Sequence, residues 1–251
     1  MYTLAMFQKS YTEKEISEAF KRIPQRKGWD FSFMKTQTQP DPWNYLDIVA
    51  LYLNPESHVL DVGTGGGEKF IKLSHLFKSG VGIDIDPAMV QTAKENGKDV
   101  RNIVFYSDSD SLQMTDDKFD VILNRHSSFN LTAVFDHLQP NGYFITQQVG
   151  EENMLNMKQV AGIISDIVIT KKDIEQAGLK VRAFMEYNTE YIVKDIESLV
   201  FWLQALDMMH SDFPGGKILN DVELFNQMLA GNVDERGFIT NEQRFLVIAQ
   251  K

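Results

Sequence analysis

The sequence predicts an α/β fold, a doubly wound and mostly parallel sheet, and three observations lead there. An apolar strand, Val59-Leu60-Asp61-Val62, runs straight into a glycine loop, Gly63-Thr64-Gly65-Gly66-Gly67. A second apolar strand, Gly80-Val81-Gly82-Ile83, ends in Asp84, 21 positions beyond Gly63. Strand and helix patterns then alternate as far as about residue 150, the order that builds a parallel sheet with crossover helices.

Each element has its own signal. A helix is expected near Thr12 to Lys21, followed by an irregular stretch in which Trp29, Phe31 and Phe33 alternate with polar residues, a pattern that also suits a short edge strand. Pro40 and Pro42 stop regular structure, and Trp43 to Leu53 reads as the helix before the first strand. After the glycine loop, Phe70, Leu73 and Phe77 share one helical face. Asp86 is placed to cap a helix that has Pro87 at its first position and Gly97 as its stop. Further strands are Ile103 to Tyr106, Phe119 to Asn124 and the segment around Gly142 to Ile145, the last preceded by a helix with Leu131, Val134, Phe135 and Leu138 on one side. A helix from Thr170 to Ala177, stopped at Gly178, leads into a sixth strand, Leu179 to Glu186, and a last strand covers Phe238 to Thr240 and Arg244 to Ala249. Between these two lies an insertion of about fifty residues, longer than a simple connection needs. Its helix, Ile196 to His210, is apolar on nearly all sides and so is expected to be buried on two faces, with a substrate, the N-terminal segment or a second subunit against one of them.

The spacing of the loop separates two classes of ligand. A dinucleotide site has the form G-x-G-x-x-G, with pyrophosphate on the first turn of the helix. Here Glu68 stands in the third glycine slot, where a carboxylate repels a diphosphate. The form present, G-x-G-x-G, resembles motif I of the class I S-adenosylmethionine-dependent methyltransferases. The order of units over roughly residues 45 to 150 resembles that family as well.

The resemblance implies a Rossmann-like sheet of seven strands with an antiparallel last strand, an N-terminal helical extension over residues 1–44, and a methyltransferase domain over 45–251 with a helical lid at about 188–236. It implies S-adenosylmethionine as methyl donor and S-adenosylhomocysteine as product. Gly63, Thr64, Gly65 and Gly67 would line the methionine part, with Asp61 orienting its ammonium. Asp84 would hold the ribose, Ile85 would lie against adenine, and Asp108 with Ser109 would read the adenine edge. Asn124 would complete the cofactor site. Asp61 and Asp108 have a competing role as loop caps. In the same fold the loop Asn124-Arg125-His126 leaves its strand beside the sulfonium. There His126 is the candidate general base, histidine being suited to proton transfer near neutral pH, and the alternative is that it only shapes the loop. Arg125 would meet an anionic substrate group or tie down the lid, to which Tyr191, Trp202 and His210 belong. Arg125 and His126 stand where amino-group methyltransferases have two prolines, so a planar amide or adenine nitrogen is disfavoured as acceptor. A small organic acceptor is expected. An RNA methyltransferase, an NAD-binding oxidoreductase and a non-catalytic S-adenosylmethionine-binding protein are the alternatives.

Composition agrees. The 251 residues, 43% hydrophobic and 24% charged, suffice for one substantial core. A net charge of −10 opposes general binding to nucleic acid, although residues 1–39 hold seven basic side chains against four acidic, a solvated face or an arm for an anionic substrate. The absence of cysteine removes disulfides and thiolate chemistry, and no histidine pair has metal-site spacing, so no catalytic metal is expected. No run is long enough for a membrane span and the first residues do not resemble a signal peptide, which gives a cytoplasmic location, without membrane contact, as the expectation. The chain is expected to be a monomer or homodimer.

Overall fold

A computed structural model of the chain describes residues 7–26, 30–107, 117–163, 169–209 and 215–251. In chain order the strands are β1 (Thr36–Thr38), β2 (His58–Val62), β3 (Ser79–Asp84), β4 (Ile103–Ser107), β5 (Phe119–Arg125), β6 (Leu138–Val149), β7 (Lys180–Val193), β8 (Val233–Asp234) and β9 (Gly237–Gln250). The α-helices are α1 (Glu13–Arg22), α2 (Tyr45–Ala50), α3 (Glu68–Lys72), α4 (Pro87–Asn96), α5 (Leu131–His137), α6 (Leu155–Ala161), α7 (Lys171–Gln176), α8 (Ile196–Met209), α9 (Gly215–Leu219) and α10 (Val222–Leu229). Among the described residues no helix is long and apolar enough to cross a membrane.

The chain divides into two compact units, one of residues 41–150, 169–186 and 244–251, the other of residues 1–40, 151–168 and 187–243. The first unit holds the sheet expected from the sequence, in the order β4-β3-β2-β5-β6-β9-β7. Strands β2 to β6 run parallel to their neighbours, while β9 lies antiparallel to β6. That order reverses at β2, where chain connections leave toward both sides, and a crevice opens outside the carboxyl ends of the strands. Phe70, Leu73 and Phe77 are buried as their spacing requires, and they join Val59, Val121 and Ile145 in one core. The single helix expected after the glycine loop is broken: α3 ends at Lys72, and a separate 3₁₀ turn covers Ser74–Leu76. Asp86 caps α4 through its carboxylate, with Pro87 in the first turn and Gly97 at the C-cap.

In the second unit β1 pairs antiparallel with the end of β7 and β8 pairs with the start of β9, which gives nine strands among the described residues rather than seven. The short strand is therefore Thr36–Thr38, outside the aromatic alternation at 29–33; Trp29 itself lies outside the described residues. Phe31 and Phe33 instead pack on Phe201 of α8, at ring separations of 6.2 and 5.2 Å. Lys35 pairs with Asp195 at 2.7 Å and Arg22 with Glu197 at 2.7 Å. The N-terminal segment is thus one cover of the apolar α8 helix. On another side Gly215 of α9 lies so close that a side chain there would strike the Leu203 carbonyl. Leu199, Val200, Leu203 and Leu206 are buried with Phe225 and Met228 of α10 in one core, the outcome expected of a helix apolar all round.

Candidate functional site

The site sits at the carboxyl ends of β2, β3 and β5, within the first unit. Its loop is held by backbone bonds: the Gly63 and Thr64 amides both donate to the Ile83 carbonyl at 2.9 Å, and the Gly67 amide donates to Thr64 O at 3.0 Å. Asn96 of α4 donates to the Gly66 carbonyl at 2.8 Å. Gly63, Gly65 and Gly67 all have positive φ, at 75°, 56° and 76°, a conformation costly to any residue with a Cβ.

The three glycines nevertheless serve different ends. A Cβ on Gly63 would lie 2.0 Å from Ser127 Oγ, and one on Gly67 would crowd Phe105 and Ala93 at 3.1–3.2 Å, so both are needed for packing against the protein itself. A Cβ on Gly65 would meet nothing within 4 Å, and this alone of the three opens onto space for a ligand.

Asp84 ends β3 with its carboxylate already at work, accepting the Gly65 amide at 2.8 Å on one oxygen and the Asp86 amide at 2.9 Å on the other. Each carboxylate oxygen has a second lone pair, enough for two ribose hydroxyls. The next residue, Ile85, is 68% exposed, an apolar side chain at a strand end suited to lie under a planar ring. Asp61 has its pKa pushed up to about 6. Burial is the main cause and the Asp84 carboxylate adds to it, while the Thr64 hydroxyl and the Arg125 guanidinium act in the opposite direction. Thr64 Oγ1 is itself buried and makes no hydrogen bond of ordinary geometry with any described residue. A buried hydroxyl left in this way costs stability unless something else satisfies it.

An S-adenosylmethionine molecule fits these observations. The buried Thr64 hydroxyl, with no partner of good geometry beyond its approach to Asp61, the open face of Gly65, the Asp61 carboxylate with its raised pKa and the exposed Ile85 side chain are what its polar methionine end, ammonium and adenine ring would each meet. Asp108, Ser109 and His210 lie outside the described residues.

Asn124 requires a correction. Its side chain is fully buried and internally satisfied, donating to Val62 O and Ser127 Oγ at 3.0 Å and accepting from Thr146 Oγ1 at 3.0 Å and from Gln148 Nε2. It ties β5 to β2 and β6, and has no amide group left for a ligand. Tyr45, unremarked in the sequence, sits below, its hydroxyl 3.3 Å from the carbonyls of both Asn124 and Ile145. Burial, reinforced by the Asp61 charge, holds that phenol well above its ordinary pKa.

His126 and Arg125 follow Asn124. His126 adopts a left-handed backbone at φ 56°, uncommon for a residue with a side chain and often found where function fixes geometry. The residue is exposed, while desolvation by the protein around the ring and the Arg125 and Arg244 charges hold its pKa well below the usual histidine range. His126 is therefore neutral at pH 7. Arg125 lines an open cleft of about 370 Å³ together with Asp41, Trp43, Asn44, Lys69 and Gln147. Desolvation and the Arg125 charge lower the pKa of Lys69, as expected of two cations facing one space. Tyr191 and Trp202, in the second unit, pack on one another at 5.0 Å between rings. Thr146, Gln147 and Gln148 are, with Trp43, Tyr45 and Lys69, site residues that sequence reasoning missed; for the first three the signal was three consecutive polar residues at the end of an apolar strand.

Comparison with known proteins agrees with this geometry. Residues 53–189 match a family model described as a methyltransferase domain. The chain is 32% identical over 130 residues to the ribosomal protein L11 methyltransferase of Geobacillus kaustophilus, a match covering 49% of this chain and 42% of that protein. The chain thus matches less than half the length of this curated relative. Among solved structures, a putative methyltransferase from Bacillus halodurans C-125 is similar at a TM-score of 0.59 and 18% identity, over 82% of this chain and 96% of that one. A SAM-dependent methyltransferase from Thiobacillus denitrificans, in complex with S-adenosyl-L-homocysteine, is similar at 0.51 and 15%, over 82% and 90%. At these identities the two structures speak for the fold.

Proposed function

This chain belongs to the methyltransferase domain family, and from that premise we propose that it transfers a methyl group from S-adenosylmethionine to a small organic acceptor by in-line displacement. The sulfonium of the donor supplies an already activated methyl group. What remains for the protein is to hold two molecules in line and keep water out, since orientation alone supplies much of the rate in such a displacement. Asp61, Thr64 and Gly65 hold the methionine end in this reading, and Asp84 and Ile85 the nucleoside.

The observation that favours a small acceptor is the open cleft of about 370 Å³ lined by Trp43, Lys69, Arg125 and Gln147, whose volume lies within the range of small-molecule sites. Lys69 and Arg125 in its wall suit an acceptor with a carboxylate or other anionic end. The internal use of the Asn124 amide argues against acceptors bound through a planar nitrogen at that position. A second reading, a protein side chain as acceptor, is favoured by the identity to a ribosomal protein methyltransferase.

The two are separated by incubating the protein with methyl-labelled S-adenosylmethionine and either a panel of small phenols, amines and carboxylic acids or a preparation of ribosomal proteins. Label is expected in the small-molecule fraction, from at least one anionic acceptor. Label in the polypeptide fraction alone would overturn the small-acceptor reading.

A further inference from the structure

We propose that Trp43 and Gln147 are positioning residues that fix the tautomer of His126, so that the ring carries its proton on Nδ1 and meets the methyl acceptor as a hydrogen-bond donor rather than as a base through Nε2. The part concerning the acceptor rests on the methyltransferase reading above; the tautomer does not.

The inference starts from a donor that has no choice. An indole nitrogen donates and never accepts. Trp43 Nε1 lies 2.9 Å from Gln147 Oε1, so that end of the amide must be its carbonyl oxygen. The opposite end, the NH₂ group, then faces His126 Nε2 at 3.2 Å. An amide NH₂ has only protons to offer, and Nε2 must receive one through its lone pair. A neutral imidazole has a single N–H, which therefore belongs to Nδ1.

The rest of the structure holds these three groups in place. Gln147 is 7% exposed, leaving little room for its amide to turn over. The His126 amide donates to the Gln147 carbonyl at 2.9 Å, and Arg125 and Gln147 are paired neighbours in the β5–β6 register, so the two backbones are bound together. An imidazolium would place N–H against N–H at the Gln147 contact, beside the Arg125 and Arg244 guanidiniums. Every charged group found to act on the ring opposes its protonation.

The consequence for chemistry is specific. With Nε2 engaged by Gln147, His126 does not use that nitrogen to accept a proton from the acceptor. Nδ1–H is a neutral donor that orients a lone pair on the acceptor without protonating it. The acceptor that suits such a partner is already nucleophilic at neutral pH and has lone pairs to spare, such as a carboxylate, which accepts the N–H on one pair and attacks with another.

Long-range proton–nitrogen NMR on uniformly ¹⁵N-labelled protein reads the tautomer directly, without cofactor or acceptor. The chain has five histidines, and His126→Gln assigns the signals. The wild type is expected to show protonated Nδ1 and unprotonated Nε2 at neutral pH. Trp43→Phe, which frees the amide to turn over, should lower the Nδ1–H fraction. Gln147→Glu presents carboxylate oxygens to both partners, and should move the proton to Nε2 and raise the pKa of the ring. Circular dichroism on both variants separates a tautomer change from loss of fold. Protonated Nε2 in the wild type, or an unchanged tautomer and pKa in folded Gln147→Glu, would overturn the proposal. A failed acceptor panel would leave the NMR result standing, so the two readings fail separately.

Discussion

Asp61→Asn is expected to stabilise the ligand-free chain at pH 7 by about 3 kcal/mol while weakening S-adenosylhomocysteine binding at least tenfold. The first figure follows from linkage: a carboxyl raised from 3.8 to about 6 favours the neutral form in the folded state by roughly two pKa units, each worth about 1.4 kcal/mol. The sign is that of a raised acid. Its favourable contribution is fully present below the unfolded pKa and is lost as pH rises through 6, so the wild type is penalised by about 3 kcal/mol at pH 7 and by only about 0.5 kcal/mol at pH 4. Asparagine removes that penalty by never ionising. Urea denaturation at pH 7 and at pH 4 checks both ends, and the gain should shrink to about 0.5 kcal/mol at the lower pH. The opposite effect on binding follows if the burdened carboxylate is there to meet the ammonium of the methionine moiety. Retaining such a charge at a cost in stability is characteristic of functional sites. A variant that is stabilised and binds undiminished would leave Asp61 without a role in the cofactor site.

Gly63→Ala and Gly65→Ala should part company. At Gly63 a methyl group would fall 2.0 Å from Ser127 Oγ and 2.4 Å from its Cβ, at a φ of 75°. The serine cannot move cheaply, since its hydroxyl accepts from Asn124 at 3.0 Å and donates toward Val62 O. Backbone strain of about 1–2 kcal/mol, overpacking of similar size and a disturbed buried hydrogen bond together predict a loss of roughly 3 kcal/mol or more. Adding Ser127→Gly should recover the overpacking share. Gly65→Ala meets no protein atom and should cost only the strain, about 1–2 kcal/mol, but its methyl group enters the space assigned to the ligand. Its larger effect should appear in S-adenosylhomocysteine affinity. Equal stability losses in the two variants, or unimpaired binding by folded Gly65→Ala, would contradict the division of roles between these glycines.

Much of the sheet was legible because its determinants are local. Asp86, Pro87 and Gly97 mark both ends of α4 in a few residues, and the seven long strands follow from apolar runs bounded by turn residues. The glycine loop and Asp84 could be placed because strand ends fix where a crevice opens. What could not be read depends on partners distant in sequence. That Ser127 fills the space above Gly63, or that Asn124 is consumed by Thr146 and Gln148, is decided by the pairing of β5 with β2 and β6. The break after Lys72 and the role of Trp43 were hidden for the same reason. His126 stands between these cases. Its presence in the loop was legible, whereas the Gln147 side chain that contacts its ring lies 21 positions away in sequence.

Calorimetric titration of S-adenosylhomocysteine into wild type and Asp84→Ala tests the assignment of the cofactor site most directly, with a thermal melt of each to confirm folding. Asp84 both holds the Gly65 amide and has lone pairs for the ribose, so its removal should weaken affinity at least tenfold, about 1.4 kcal/mol. Saturable binding to the wild type with that loss in a folded variant is the result expected. Equal affinity in the two proteins, or heat from NAD and none from S-adenosylhomocysteine, would contradict it.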